Sequence, residues 1–275
     1  MGRRRSILVV AALVTTALAG VAPATTASAA PAYPSSMAAL GDSITRAYDV
    51  CCSYGDHPAQ SWSTGSASDT ITSHYERLLS RNPAISGHAA NLAVTGAKMA
   101  AGPTQAGNVP SDVQYVTILL GANDVCTSSI STMTSTATFQ SQFWNTLFNV
   151  HWKSPKALVF VSSIPNVYQL WSTLHTNYAA RLVWAGAKIC QSMLSSSNTD
   201  SQRQQVADRE ASFNNALQSV CTSATYSAFC RWDNFTTYNV AFSSSQVSTL
   251  DYFHPNQSGQ ALLASKSWGA SYWGS

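Results

Sequence analysis

The sequence predicts one α/β domain, built on a parallel sheet of about five strands with helices on both faces. Three observations predict it. The chain has 275 residues, which suits one sizeable domain better than two. Apolar residues make up 45% and charged residues 10%, enough to bury a core and too few charges for a disordered chain. Short apolar runs alternate with helix-period segments, a pattern that implies parallel pairing through right-handed crossovers and hence three layers. No internal repeat or linker interrupts the alternation.

The first thirty residues stand outside that pattern. Arg3 to Arg5, the apolar stretch Ile7 to Ala19 and the small-residue pattern Ala27-Ser28-Ala29 follow the order of a secretory signal peptide. Residues 1–30 are therefore expected to be removed, leaving 31–275 as a single exported domain. The apolar run is too short for a spanning helix, which needs roughly 20 residues, and Thr15 and Thr16 interrupt it. The adjacent arginines also suit twin-arginine export. They account for the whole formal net charge of +3, so the remaining chain is neutral overall and lacks the field that a nucleic-acid partner requires.

After a Pro/Ser-rich lead-in, Met37 to Leu40 reads as a buried strand ending at Gly41-Asp42-Ser43. Ile71, Tyr75, Leu78 and Leu79 recur at helical spacing, so Asp69 to Leu79 reads as a helix capped by Asp69 and stopped at Asn82-Pro83. Ala89 to Val94 is the second strand, reaching Thr95-Gly96. Tyr115 to Leu120 is the third, reaching Gly121-Ala122-Asn123-Asp124. Phe139, Phe143, Leu147 and Phe148 mark an amphipathic helix closed by Ser154-Pro155, and Ala157 to Val161 is the fourth strand. Leu182, Ile189 and Met193 predict one further helix. Val206, Phe213, Leu217 and Val220 predict another before the strand-like stretch Tyr226 to Trp232, and a last helix starts near Asn256.

All six cysteines, Cys51, Cys52, Cys126, Cys190, Cys221 and Cys230, lie beyond the signal segment and favour disulfides formed in an oxidising compartment. Neighbouring Cα atoms sit only ~3.8 Å apart, so pairings that avoid a Cys51–Cys52 bridge are expected. With no CxxC, HExxH or paired His/Cys cluster, neither a metal nor a cofactor is expected.

Three strands end in polar turns, and the carboxyl edge of a parallel sheet is where open α/β folds place their sites. Ser43 stands at a predicted strand-to-helix turn, its hydroxyl near a helix N-terminus that favours a developing anion. A serine needs a base, and Asp251-Tyr252-Phe253-His254-Pro255 supplies a histidine with an aspartate three residues before it, close enough to bond one ring nitrogen while the other faces Ser43. The remaining histidines, His57, His74, His88, His151 and His175, are expected to be structural or exposed. An oxyanion needs preorganised donors: Gly96 lets its N–H approach closely, and Asn123 offers a side-chain amide. Trp62 and Trp171 lie in loops expected at the carboxyl edge, where they would line an apolar substrate groove.

Taken singly each motif is a capped turn. Together and in this order, Gly41-Asp42-Ser43-Ile44, Asn91 to Ala97, Gly121-Ala122-Asn123-Asp124 and Asp251-Tyr252-Phe253-His254-Pro255 resemble the four blocks of the SGNH hydrolases, the GDSL esterases and lipases. The resemblance runs from Met37 nearly to the C-terminus. It implies a flavodoxin-like sheet, Ser43 as nucleophile, and His254 as base with Asp251 behind it. It also implies an oxyanion hole formed by the Ser43 and Gly96 N–H groups and the Asn123 side chain. The overall likeness is to secreted bacterial lipases and phospholipases. Ile44 replaces the leucine of the family's name motif, and some members orient the histidine with a backbone carbonyl, which leaves two candidates for the orienting group. The α/β-hydrolase elbow Gly-x-Ser-x-Gly is absent, because Thr45 fills its second glycine position.

The expected protein is a secreted serine hydrolase that cleaves carboxylic esters through an acyl-enzyme on Ser43. Its alternatives are a phospholipase of the A or B kind, a polysaccharide acetyl-esterase, and a non-catalytic glycan- or lipid-binding module. A lipid or small ester substrate, transient contact with a lipid surface and a monomeric state are expected.

Overall fold

The computed structural model describes residues 1–2, 30–66 and 70–274. Residues 3–29, nearly all of the predicted signal segment 1–30, and the predicted Asp69 cap lie outside the described residues. Pro31–Ser275 clusters as one compact unit.

Five parallel strands form one sheet: β1 (Met37–Gly41), β2 (Ala89–Asn91), β3 (Tyr115–Leu119), β4 (Leu158–Val161) and β5 (Cys230–Trp232), in the order β2-β1-β3-β4-β5. Every residue of β1 and β3 is buried, which explains why they read as unbroken apolar runs rather than alternating ones. In register, Met37 faces Ala89 on one side and Tyr115 on the other, so β1 is the central platform for Ser43.

Alternate strand residues feed two cores. Ala38, Leu40, Val116 and Val159 pack against α4 (Thr136–Lys153) and α8 (Asp200–Cys221), through Phe139, Phe143, Phe213 and Leu217. Met37, Tyr115, Leu119 and Phe160 pack on the opposite side against α1 (His74–Leu79) and α9 (Gln257–Ala270), through Tyr75, Leu78 and Leu263. The period-2 alternation of strand side chains thus produces the three layers. In the second core His74 is fully buried, its Nδ1 2.9 Å from the Tyr115 hydroxyl and its Nε2 2.8 Å from Ser267 Oγ. Burial, aided by Arg77, lowers its pKa to about 3, so the ring is a neutral structural link.

Several expectations are corrected. The first helix begins at His74, where Ser73 and Glu76 form a reciprocal capping box, rather than behind Asp69. One helix through Leu182, Ile189 and Met193 is in fact two, α6 (Tyr178–Gly186) and α7 (Gln191–Leu194). Lys188 (φ 56°) and Cys190 (φ 41°) take left-handed conformations between them. The second strand stops at Asn91, although the Leu92 and Val94 N–H groups still donate to Ala39 and Gly41 and carry the chain along β1 towards Gly96. The fifth covers only Cys230–Trp232, because Tyr226 to Phe229 form a turn. Three helices lie outside the sequence expectations: α2 (Gly102–Gly107) and α3 (Ala122–Val125) are too short to show a period, and α5 (Val167–Leu174), whose Val167, Leu170 and Leu174 recur at helical spacing, replaces the loop expected around Trp171.

Cysteines pair as Cys126–Cys190 and Cys221–Cys230, while Cys51 and Cys52 are free thiols. The expectation that all six pair is therefore corrected: once the other four are joined, only the disfavoured vicinal partners remain. No helix among the described residues is long and apolar enough to cross a membrane.

Candidate active site

Ser43 follows β1 directly and is only 5% exposed. No helix follows it. Residues 43–49 form successive turns, with Arg46 N–H donating to Asp42 O and Tyr48 N–H to Ser43 O, and left-handed Ala47 and Asp49 prevent continuation. The expected contribution of a helix N-terminus to the serine is thereby withdrawn. What fixes the turn is side-chain chemistry. Asp42 Oδ1 accepts from Ile44 N–H at 3.0 Å. Gln105 Oε1 accepts from Gly41 N–H at 2.8 Å, and Gln105 Nε2 donates to Gly41 O at 2.9 Å. Asp42 is fully buried with Oδ2 unpartnered, and burial pushes its pKa up to about 7, so the carboxyl is held largely neutral through the acid range.

His254 reaches this turn from a loop closed by antiparallel pairing of Val247 with Pro255 and by the Ser248 N–H bond to His254 O. Its Nε2 lies 2.7 Å from Ser43 Oγ, and its Nδ1 is bonded to Asp251 Oδ2. Asp251 Oδ1 accepts the Phe253 and His254 N–H groups at 2.8 and 3.0 Å, so both carboxylate oxygens are engaged. Burial acts to raise the Asp251 carboxyl, but the hydrogen bond and charge of His254, with those two N–H groups, outweigh it and hold it below the usual carboxylate value. The imidazole is flanked by the rings of Tyr48 and Phe253, at 5.1 and 5.0 Å.

Gly96 (φ +79°) turns the chain at the end of the second polar block, and open space surrounds the position a Cβ would take. Its glycine therefore supplies a left-handed backbone and free approach rather than relief of a clash. Among the described residues, neither the Ser43 nor the Gly96 N–H has an acceptor. Asn123 Nδ2 donates to Ala97 O at 3.0 Å, which aims the amide from α3 toward the Gly96 turn. Asp124 Oδ2 accepts from Met99 N–H at 2.7 Å and locks the two blocks together. Ser43, Gly96, Asn123, Asp251 and His254 all line one cleft of about 590 Å³. A narrow apolar slot of about 50 Å³, lined by Ile44, Ala122, Leu170, Phe242, Phe253 and Pro255, also borders His254.

Trp62 and Trp171 are corrected. Trp62 is fully buried in the second core, its Nε1 donating to Thr45 Oγ1 at 3.3 Å, so it supports the serine turn from beneath and meets no substrate. Trp171 stacks on His175 at 4.6 Å and carries the Arg203 guanidinium at 4.4 Å, in a separate cavity. Val167 and Leu170 of the same helix, rather than Trp171, line the apolar slot.

Sequence reading missed three supports. Asp56 pairs with Arg46 at 2.9 Å and accepts from Thr95 Oγ1, tying the serine loop to the Gly96 loop. Gln260 of α9 accepts from Trp62 N–H and donates to Ile44 O, both at 2.9 Å, joining the helix after His254 to the turn after Ser43. Phe253 forms part of the apolar slot. Only Phe253 had a signal, its place beside His254. Among the described residues Asp49, Asp251 and His254 bring three potential metal-ligand atoms within 4.8 Å, although both ring nitrogens of His254 are already hydrogen-bonded.

This arrangement is competent for acyl transfer: a hydroxyl in contact with a base, a base with its second nitrogen fixed, and free donors beside the hydroxyl. The family description GDSL-like lipase/acylhydrolase matches residues 37–267. A candidate GDSL-like lipase from Parabacteroides merdae superposes with a TM-score of 0.53 at 15% identity, over 88% of this chain and 97% of that one. An extracellular lipase from Streptomyces rimosus gives 0.49 at 15% identity, covering 85% and 96%. Phospholipase A1 from Streptomyces albidoflavus gives 0.48 at 16%, covering 82% and 94%. The Parabacteroides likeness supports the fold alone. No curated protein sequence matches.

Proposed function

The chain belongs to the GDSL-like lipase/acylhydrolase family and is a carboxylic ester hydrolase, and from that premise we propose that it works as a secreted serine esterase or lipase through an acyl-enzyme on Ser43. The 2.7 Å contact between Ser43 Oγ and His254 Nε2 carries the reading. In it, His254 takes the serine proton as Oγ attacks the ester carbonyl, then returns it to the leaving alcohol; a water molecule repeats the cycle on the acyl-enzyme. The Ser43 and Gly96 N–H groups and the second Asn123 amide hydrogen stabilise the oxyanion. Asn123→Ala is expected to lower kcat about a hundredfold with KM nearly unchanged; an unchanged kcat removes Asn123 from that role.

The small apolar slot beside His254 supports short acyl chains. Exposed Lys188 on the rim of the catalytic cleft supports the second reading, a phospholipase whose substrate carries a phosphate headgroup. A panel of p-nitrophenyl esters of rising chain length beside phosphatidylcholine separates the two: fastest turnover on the short esters is expected, and faster turnover on phosphatidylcholine overturns that order. The Arg3 to Arg5 leader and the two disulfides support export and removal of residues 1–30. The panel is run on protein from the culture medium, where an intact mass retaining those thirty residues contradicts their removal.

A further inference from the structure

A second buried carboxyl lies behind the first. Asp49 is 2% exposed, sits in the turns that follow Ser43 and lines the catalytic cleft, yet belongs to none of the four sequence blocks. One carboxyl oxygen of Asp49, one of Asp251 and a ring nitrogen of His254 lie within 4.8 Å of one another. The loop around Asp49 is built to hold it there. Asp49 Oδ1 accepts from Gly55 N–H at 2.7 Å, and its own N–H donates to Gly55 O at 2.9 Å. Its carbonyl accepts from Ser248 Oγ at 2.5 Å, and Ser248 also bonds the backbone of His254.

We propose that Asp49 is a positioning residue for ester hydrolysis, acting through Asp251: it braces the Asp251 carboxylate against His254 Nδ1 and adds a second negative charge beside the imidazole. The inference rests on the reading of Ser43, His254 and Asp251 as nucleophile, base and orienting group. Two carboxylates this close repel, and a proton between them or a cation beside them relieves that repulsion. When His254 takes the Ser43 proton it becomes that cation. The pair therefore favours the charged ring, and the base is stronger than one aspartate would make it. Burial raises the Asp49 carboxyl and Asp251 adds to it, while the Gly55 N–H bond and, less strongly, His254 act in the opposite sense.

Other ionisable groups close to the cluster are Tyr48, Tyr54 and Asp56 from the same loop, with Asp56 paired to Arg46. Asp42 lies at the end of β1 and interacts with His254 from there, and Lys188 lines the same cleft. Among the described residues Asp49 combines an oxygen within 4.8 Å of the Asp251 carboxyl with a hydrogen-bonded anchor to the His254 loop.

Asp49→Asn tests the proposal, because asparagine keeps the shape and the acceptor for Gly55 and removes the charge. Expected is an acid limb of the kcat/KM profile moved down by about one pH unit, with kcat lowered about five- to tenfold and KM within about twofold, on p-nitrophenyl butyrate. Asp49→Glu, which retains charge, should keep the acid limb near its original place. An unmoved acid limb in folded Asp49→Asn, whatever happens to kcat, reduces Asp49 to scaffolding and overturns the proposal. Should that variant not fold, the His254 Nδ1 proton resonance of the unmodified protein decides: two titration steps support coupling to a second carboxyl, and one step overturns it. Ser43→Ala separates this from the underlying reading, since an active Ser43→Ala protein defeats that reading, whereas an inactive one with an unmoved Asp49→Asn profile defeats only the role of Asp49.

Discussion

Ser43→Ala is expected to lower kcat on a short acyl ester about a millionfold and to abolish covalent labelling by a fluorophosphonate, while the protein remains folded. The size follows from the arrangement. Ser43 Oγ is the group in contact with His254 Nε2, so its removal leaves the base with no nucleophile to activate and prevents the acyl-enzyme. The backbone donors of Ser43 and Gly96 survive the change and leave residual rate above water. Folding should be spared, because Oγ has this one hydrogen bond and alanine fits the site without added bulk. Retention of more than about a tenth of kcat would remove Ser43 as the nucleophile.

Asp251→Asn should cost about 10⁴-fold in kcat with little change in KM. The Asp251 oxygens do different work: Oδ1 accepts two backbone N–H groups, and Oδ2 accepts from His254 Nδ1. Asparagine has only one oxygen. If that oxygen keeps the two N–H groups, its amide hydrogens face Nδ1, and the proton of the neutral ring moves to Nε2, where it points at Ser43 and leaves no acceptor. If the amide flips, two backbone donors meet a third donor. Either outcome disables the base. A loss under tenfold would show that something other than this carboxylate orients the ring, as in relatives that use a backbone carbonyl. The depressed Asp251 carboxyl also contributes stability that is present above its ordinary value of 3.8 and is lost as pH falls through its lower folded value.

The sheet was legible because β1 and β3 are buried on both faces, so Met37–Gly41 and Tyr115–Leu119 are continuous apolar runs with glycine-bearing exits. Helices with long periodic faces, such as α4 and α8, were legible because one buried face recurs at helical spacing. The helix break at Lys188 and Cys190 was not, since neither residue type announces a left-handed backbone and the Cys126 partner is 64 residues away in sequence. The chemical blocks stood out as polar residues packed against strand ends. Trp62 misled, because a Ser/Gly-rich loop suggested exposure whereas this one folds inward, with Ser61, Ser63 and Ser73 buried and hydrogen-bonded. Asp49, Asp56 and Gln260 left no local trace. Their roles come from partners such as Ser248, Thr95 and Ile44, and distant pairing has no periodicity to read.

Gln260 gives the two halves of the candidate machinery a common fate. Through it α9, which begins just after His254, grips both Trp62 and the carbonyl beside Ser43, and α9 itself is anchored in the second core by Leu263 and Ala264. Warming the protein therefore offers no early stage at which the imidazole wanders off while the rest stays ordered. Turnover and cooperative melting should disappear over the same few degrees.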